Sequence, residues 1–173
     1  MGKPVSIGQS HALSASKPSL LTYLDSVAVP AVSRFVAKDK FTTKNTPDGV
    51  QLYCLGANFK TRFLARVEKS VAACTLSSHR LTADSLDKPI LDELGDTATT
   101  TLAHIWELLK EQPNGEAGML LTNGRANIFY VEDAKGVLWA VGARWNSGRG
   151  WFVFAGLVSG PAGWDAHYLV FSR

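Results

Sequence analysis

Residues 118–173 read GMLLTNGRANIFYVEDAKGVLWAVGARWNSGRGWFVFAGLVSGPAGWDAHYLVFSR, and this stretch decides the fold class. It holds four short runs rich in β-branched and aromatic residues: Ala126 to Val131, Val137 to Trp145, Trp151 to Val158 and Tyr168 to Phe171. Gly, Asn, Asp and Ser separate them, and strand formers alternating with turn formers predict an antiparallel meander. From Val137 the odd positions Val137, Trp139, Val141, Ala143 and Trp145 share one face, opposite Leu138, Ala140, Gly142 and Arg144. In the next run Trp151, Val153, Ala155 and Leu157 oppose Phe152, Phe154, Gly156 and Val158. That strand is apolar on both sides and is expected near the sheet centre, covered on both faces. Three turns suit the connections: Asn123-Gly124 as a two-residue hairpin turn, Asp133 to Gly136, and Asn146 to Gly150.

Upstream, one helix pattern is clear. Leu102, Ile105, Trp106 and Leu109 recur at i, i+3, i+4 and i+7, so a helix over 97–112, with Asp96 as its cap, is the expected cover for one face of the meander. Asp87 and Pro89 open a shorter helix with Ile90, Leu91 and Leu94 inward, stopped at Gly95. Leu20, Leu21, Leu24 and Val27 have helical spacing, and Pro30 suits the start of a second short helix through Val32, Phe35 and Val36. A strand is expected over 50–55. Next comes a helix from Asn58, with Phe59, Phe63 and Val67 on one face, then a short strand over 71–76 and a loop or irregular edge over 77–85. Residues 1–17, rich in Ser, Gly and Ala without apolar period, read as a flexible arm, and 18–173 as a single α+β domain in which N-terminal and central helices pack on the C-terminal meander.

A length of 173 residues, 46% hydrophobic and 19% charged, describes a globular chain with a full core. The formal charge of +3 is uneven: residues 1–70 carry ten Lys plus Arg against four Asp plus Glu, and 71–173 carry a net −3. Cys54 and Cys74 are too few for a zinc site or a disulfide framework, which fits a reducing compartment. The apolar run over 20–36 is broken by Asp25, Pro30 and Arg34, so neither a membrane span nor a signal core is expected. A cytoplasmic protein without a membrane contact follows, its oligomeric state open.

The runs Phe35 to Phe41, Pro89 to Gly95, Leu120 to Gly124 with Ala126 to Val131, and the closing Val170 to Arg173 resemble a family of small uncharacterised proteins from candidate-phylum bacteria (Patescibacteria). The likeness spans residues 35–173. It implies a bacterial cytoplasmic origin, and it implies no activity, ligand or catalytic residue.

No His/Cys/Asp/Glu group has metal spacing and no glycine loop has the strand-to-helix setting of a phosphate cradle, so no cofactor is expected. The candidate ligand-binding residues are Arg144, Trp145, Arg149, Trp151, Trp164 and His167, because guanidinium beside indole across a hairpin can hold a nucleobase, a sugar ring or a peptide. The competing reading makes the tryptophans core. Asn127 and Tyr130 can add polar contacts. A second class is a small hydrolase or transferase using Asp165, His167 and Cys54. A third is nucleic-acid binding through Arg34, Lys38, Lys40, Lys44, Lys60, Arg62, Arg66 and Lys69, interleaved with Phe35, Phe41, Phe59 and Phe63. Non-catalytic binding ranks first, with a protein partner ahead of a nucleic acid and of a small polar or sugar-like molecule.

Overall fold

The computed structural model describes residues 18–173, so the expected arm lies outside the described residues. In chain order the elements are β1 (Leu21–Val29), β2 (Val32–Val36), α1 (Ala37–Lys40), β3 (Leu52–Leu55), α2 (Ala57–Phe63), β4 (Val67–Val71), β5 (Cys74–Leu81), α3 (Asp87–Leu94), β6 (Thr99–Thr100), α4 (Leu102–Glu111), β7 (Ala126–Glu132), β8 (Leu138–Asn146), β9 (Gly150–Leu157) and β10 (Leu169–Ser172). Helix and strand are both present, as expected, but the main sheet is mixed and its order is β1-β5-β10-β7-β8-β9-β3. A separate ribbon pairs β2 with β4.

β7, β8 and β9 form the antiparallel meander, with Val131 opposite Trp139 and Trp145 opposite Trp151. Its two hairpins are the ones the turn residues announce. Buried Asp133 accepts the amides of Lys135 and Val137 and the indole N–H of Trp139, which closes the first. The second ends at Gly150, whose φ of +117° and whose position against the Gln51 carbonyl, 2.2 Å from any added Cβ, admit only glycine.

The fourth expected strand leaves the meander. β10 does not pair with β9; it lies parallel to β7 and antiparallel to β5, while β6 continues along the same edge of β7. Asn123-Gly124 likewise closes no hairpin, because no strand precedes it. The loop around it is tied to the sheet by Asn127, fully buried, whose side chain donates to the carbonyls of Leu121 and Ala143 and accepts the Leu121 amide.

The largest correction is at the N-terminus. Residues 21–36 form strands β1 and β2 and not a helical pair. β1 runs antiparallel to β5 from Leu21 opposite Leu81 to Val29 opposite Cys74, and Leu24, expected inside, is 39% exposed. Thr22, Tyr23, Val27 and Val29 are strand formers, and β5 supplies the backbone partners that a local period cannot reveal. β5 itself covers most of the segment read as a loop. α2 starts after Gly56, so Asn58 is no cap; it donates to the Ala155 carbonyl and ties the helix to β9. Val67 belongs to β4. α4 is shorter than expected: Gly95–Thr97 is a 3-10 turn, and Thr101, not Asp96, caps the helix by accepting the His104 amide.

Two cores lie on opposite faces of the sheet. The first packs Leu102, Ile105, Trp106 and Leu109 of α4 and Phe59 and Phe63 of α2 against Phe129, Val131, Trp139, Val141, Trp151 and Val153. The second packs Ile90 of α3 on Leu81, Ala126, Ile128, Tyr130, Ala140 and Val170. Toward β9 the second face has no helix above it among the described residues, and Phe152 and Phe154 are half-buried there. The expected full cover of β9 on both sides is therefore supplied on one side only.

Candidate functional site

The half-covered face is built from β8, β9, β3 and the loop over 158–168. Phe154 lies over Gly142, where any Cβ would meet the ring tip at 2.3 Å, so the glycine creates the seat for the ring. The loop is held across this face at Trp164. Its amide and carbonyl pair with Ser85, and its indole N–H donates to Asp87 Oδ1 at 2.7 Å. Tyr168 donates its hydroxyl to Asp165 Oδ2 at 2.9 Å.

The result is an unbroken row of five half-buried rings. Tyr53 stands 6.3 Å from Phe152, Phe152 5.0 Å from Phe154, Phe154 6.2 Å from Trp164, and Trp164 6.2 Å from Tyr168. Arg149 lies over Tyr53 at 6.0 Å, and Arg144 lies over Phe154 at 5.8 Å and Tyr168 at 6.0 Å. Stacked guanidinium on an aromatic face is a favourable, partly desolvated contact.

At the inner end of the row a cavity of about 440 Å³ opens between Arg144, Phe154, Gly156, Trp164, Asp165 and Asp87. Asp87 is 4% exposed and accepts the Tyr130 hydroxyl as well as the Trp164 indole. Burial pushes its carboxyl above the usual range, and the two hydrogen bonds pull it back in part. The Tyr130 phenol is driven up by burial and by that carboxylate, so it stays a donor.

Of the residues named from the sequence, Arg144 and Trp164 meet at this cavity. Trp151 and Trp145 do not; they sit on the helix-covered face, edge to face at 5.4 Å, and Trp151 is fully buried with its indole N–H on the Gln112 carbonyl. Strand alternation separates them from Arg144, which points to the other side. Arg149 stacks on Tyr53 rather than on an indole. His167 is exposed, in left-handed backbone at φ +71°, with its amide on the Leu81 carbonyl. The Asp165 carboxylate is engaged by Tyr168. Cys54 lies on edge strand β3, and among the described residues no hydrogen bond joins any two of Asp165, His167 and Cys54. Phe154 and Phe152 were visible in the alternation of β9. Asp87 was not, because a carboxylate at the start of a helix reads as a cap.

A larger cavity, about 620 Å³, lies at β4, lined among others by Arg66, Lys69, Cys74, His104 and Arg173. Cys74 Sγ and His104 Nε2 are 3.4 Å apart. The pair is not set up for thiol activation. His104 Nδ1 accepts the Thr101 amide, so the proton resides on Nε2, which faces the sulfur as a donor and cannot take its proton. Burial depresses the imidazole to about 4 and raises the Cys74 thiol, both away from an ion pair. The N-terminus of α4 is already occupied: the Glu68 carboxylate accepts the amides of Leu102 and Ala103, each at 2.9 Å. Among the described residues there is no group of three or more His, Cys, Asp or Glu that could hold a metal ion.

The aromatic half of the expected nucleic-acid surface is core, since Phe35, Phe41, Phe59 and Phe63 are all buried. Of the basic residues, Lys40 pairs with Asp48 at 2.9 Å and Arg62 covers the Trp139 ring at 5.0 Å. No described helix is long and apolar enough to cross a membrane. No family model, curated protein or solved structure matches this chain.

Proposed function

We propose that this chain is a non-catalytic binding protein that takes its ligand on the half-open face of the sheet. The observation that carries this reading is the row Tyr53, Phe152, Phe154, Trp164 and Tyr168 with two arginines stacked along it. Rings that pack on one another and remain half open are pre-organised, so a flat ligand gains stacking area at little ordering cost. A concave end with few polar groups favours a small molecule. The large exposed apolar side chains support a protein partner less well. Tyr23 and Leu24 stand on β1, Val67 on β4, Leu86 before α3, Val137 before β8 and Leu157 at the end of β9, so they are spread over five segments, and of these Leu157 alone lines the cavity.

The test is protein-observed NMR with caffeine and with methyl glucoside. Caffeine is expected to shift the Trp164 indole N–H and the Phe152 and Phe154 ring resonances. Phe152→Ala is expected to weaken its binding by about 1–3 kcal/mol, as loss of a stacked ring does. Stronger response to the glucoside, or shifts confined to β1, would overturn the reading.

The proposal includes a bacterial cytoplasmic setting, and the cysteines test its redox part. Cys54 and Cys74 are free, on strands with four others between them, farther apart than a disulfide spans. Both thiols are expected to alkylate under denaturing, non-reducing conditions. A mass two hydrogens lighter, with neither thiol modified, would reverse the assignment to a reducing compartment.

A further inference from the structure

The cavity at the inner end of the aromatic row holds one cationic side chain and two carboxylates. Arg144 is a donor only. Its Nη2 makes one long hydrogen bond, 3.4 Å to the Tyr168 hydroxyl, and its Nε is shielded from solvent with no partner among the described residues. A shielded guanidinium N–H without an acceptor is costly unless something satisfies it. Facing it are acceptors. Asp87 takes both of its side-chain donors on Oδ1, and Asp165 takes Tyr168 on Oδ2, which leaves Asp87 Oδ2 and Asp165 Oδ1 without side-chain donors among the described residues.

These groups restrict the ligand. A simple anion would meet two carboxylates, and a simple cation would meet Arg144. A flat molecule with acceptors along one edge and donors along another meets both, while its face lies on Phe154 and Trp164. Among the nucleobases, guanine has that pattern: O6 and N7 are adjacent acceptors and suit a guanidinium fork, and N1–H with the exocyclic amine are adjacent donors and suit a carboxylate. Adenine presents its N6 donor beside N7, which turns a donor toward the donor-only arginine. At Gly156 an added Cβ would meet nothing within 4 Å, so the cavity is open above that backbone.

We infer that this cavity recognises a guanine-type heterocycle, with Arg144 on its acceptor edge, Asp165 and Asp87 on its donor edge, and Phe154 and Trp164 against its face. The inference rests on the binding reading above and specifies its ligand. The base can come as a free nucleoside or as one unit of a single strand, and the chemistry of recognition is the same.

The test is titration of the full chain, followed by Trp fluorescence and calorimetry, with guanosine, adenosine, cytidine, uridine and caffeine. Guanosine is expected to bind about tenfold or more tightly than the other nucleosides, as loss of a bidentate pair predicts. Arg144→Gln and Asp165→Asn should each remove that preference. Arg144→Lys retains the charge and loses the fork, so it should also lose the preference. A thymidine oligonucleotide with one central dG separates the sources. Affinity above that of guanosine, falling with salt, identifies a strand; affinity no higher identifies the free nucleoside. Equal binding of all four nucleosides and caffeine would overturn the guanine inference and leave the binding reading standing. Binding of none of them, caffeine included, would overturn both.

Discussion

Trp151→Ala is expected to destabilise the fold by about 3–5 kcal/mol, the range for deleting a fully buried indole. Trp151 is 0% exposed on the helix-covered face of β9, against Trp145, with its indole N–H on the Gln112 carbonyl at 2.9 Å. Truncation opens a cavity where β9 meets the end of α4, and it removes one of the two donors to that carbonyl, leaving the Gly115 amide at 3.1 Å. Its backbone is fixed as well, the Trp151 N–H donating a hydrogen bond to the Gln51 carbonyl at 2.7 Å, so local collapse into the space is restrained. Urea denaturation followed by circular dichroism measures the loss. If Trp151 were a ligand-stacking residue, the variant would lose binding with stability intact, and a change under about 1 kcal/mol would support that reading. Phe152, its neighbour in sequence, points to the other face and is half-buried, so Phe152→Ala should change stability less and binding more.

The second large effect is a dependence of stability on pH through His104. The imidazole is 2% exposed, with Nδ1 accepting the Thr101 amide and Nε2 facing Cys74. Protonation would place a second N–H against that amide. Burial first, and then the positive charge of Arg173, hold it at about 4 against an ordinary 6.5. Between these values the unfolded chain binds a proton that the folded chain does not, so stability is full above about pH 6.5 and falls as pH drops toward 4. The loss is on the order of 3 kcal/mol when integrated over that window. Unfolding free energies of the wild type and of His104→Gln, measured from pH 7 to pH 4, test this. Gln at the third helical position retains the capping box and does not titrate, so the difference between the two curves should shrink over that interval. Parallel curves would mean that His104 takes up its proton in the folded state.

The sheet face that carries the candidate site was partly legible. Alternation in Val137 to Trp145 and Trp151 to Val158 sorts Trp139, Val141, Ala143, Trp145, Trp151 and Val153 onto one side and Arg144, Phe152 and Phe154 onto the other, and the structure keeps that sorting. Adjacency in the chain nevertheless suggested that Arg144 serves Trp145 and that Arg149 serves Trp151. Neighbours along a strand point to opposite faces, so the partners of Arg144 are Phe154 and Tyr168, while Arg149, in the turn between β8 and β9, lies over Tyr53 of β3. Tyr168 reaches Arg144 only because the loop before β10 is pinned at Trp164 by Ser85 and Asp87.

Local residue chemistry by itself determined the elements whose information is local: the helix with Leu102, Ile105, Trp106 and Leu109 inward, the shorter helix at Asp87, and the two hairpins closed at Asp133 and Gly150. Hydrophobic period, capping and turn residues act within a few positions, so they are readable without a partner. Tertiary structure alone decided that residues 21–36 are strands, that β10 returns beside β7 and β5, and that Asp87 serves Trp164 and Tyr130 across the fold. A strand's backbone groups are satisfied by another strand that can lie anywhere in the chain, as β5 lies about fifty residues after β1, and a buried carboxylate takes its role from the donors that the fold brings to it.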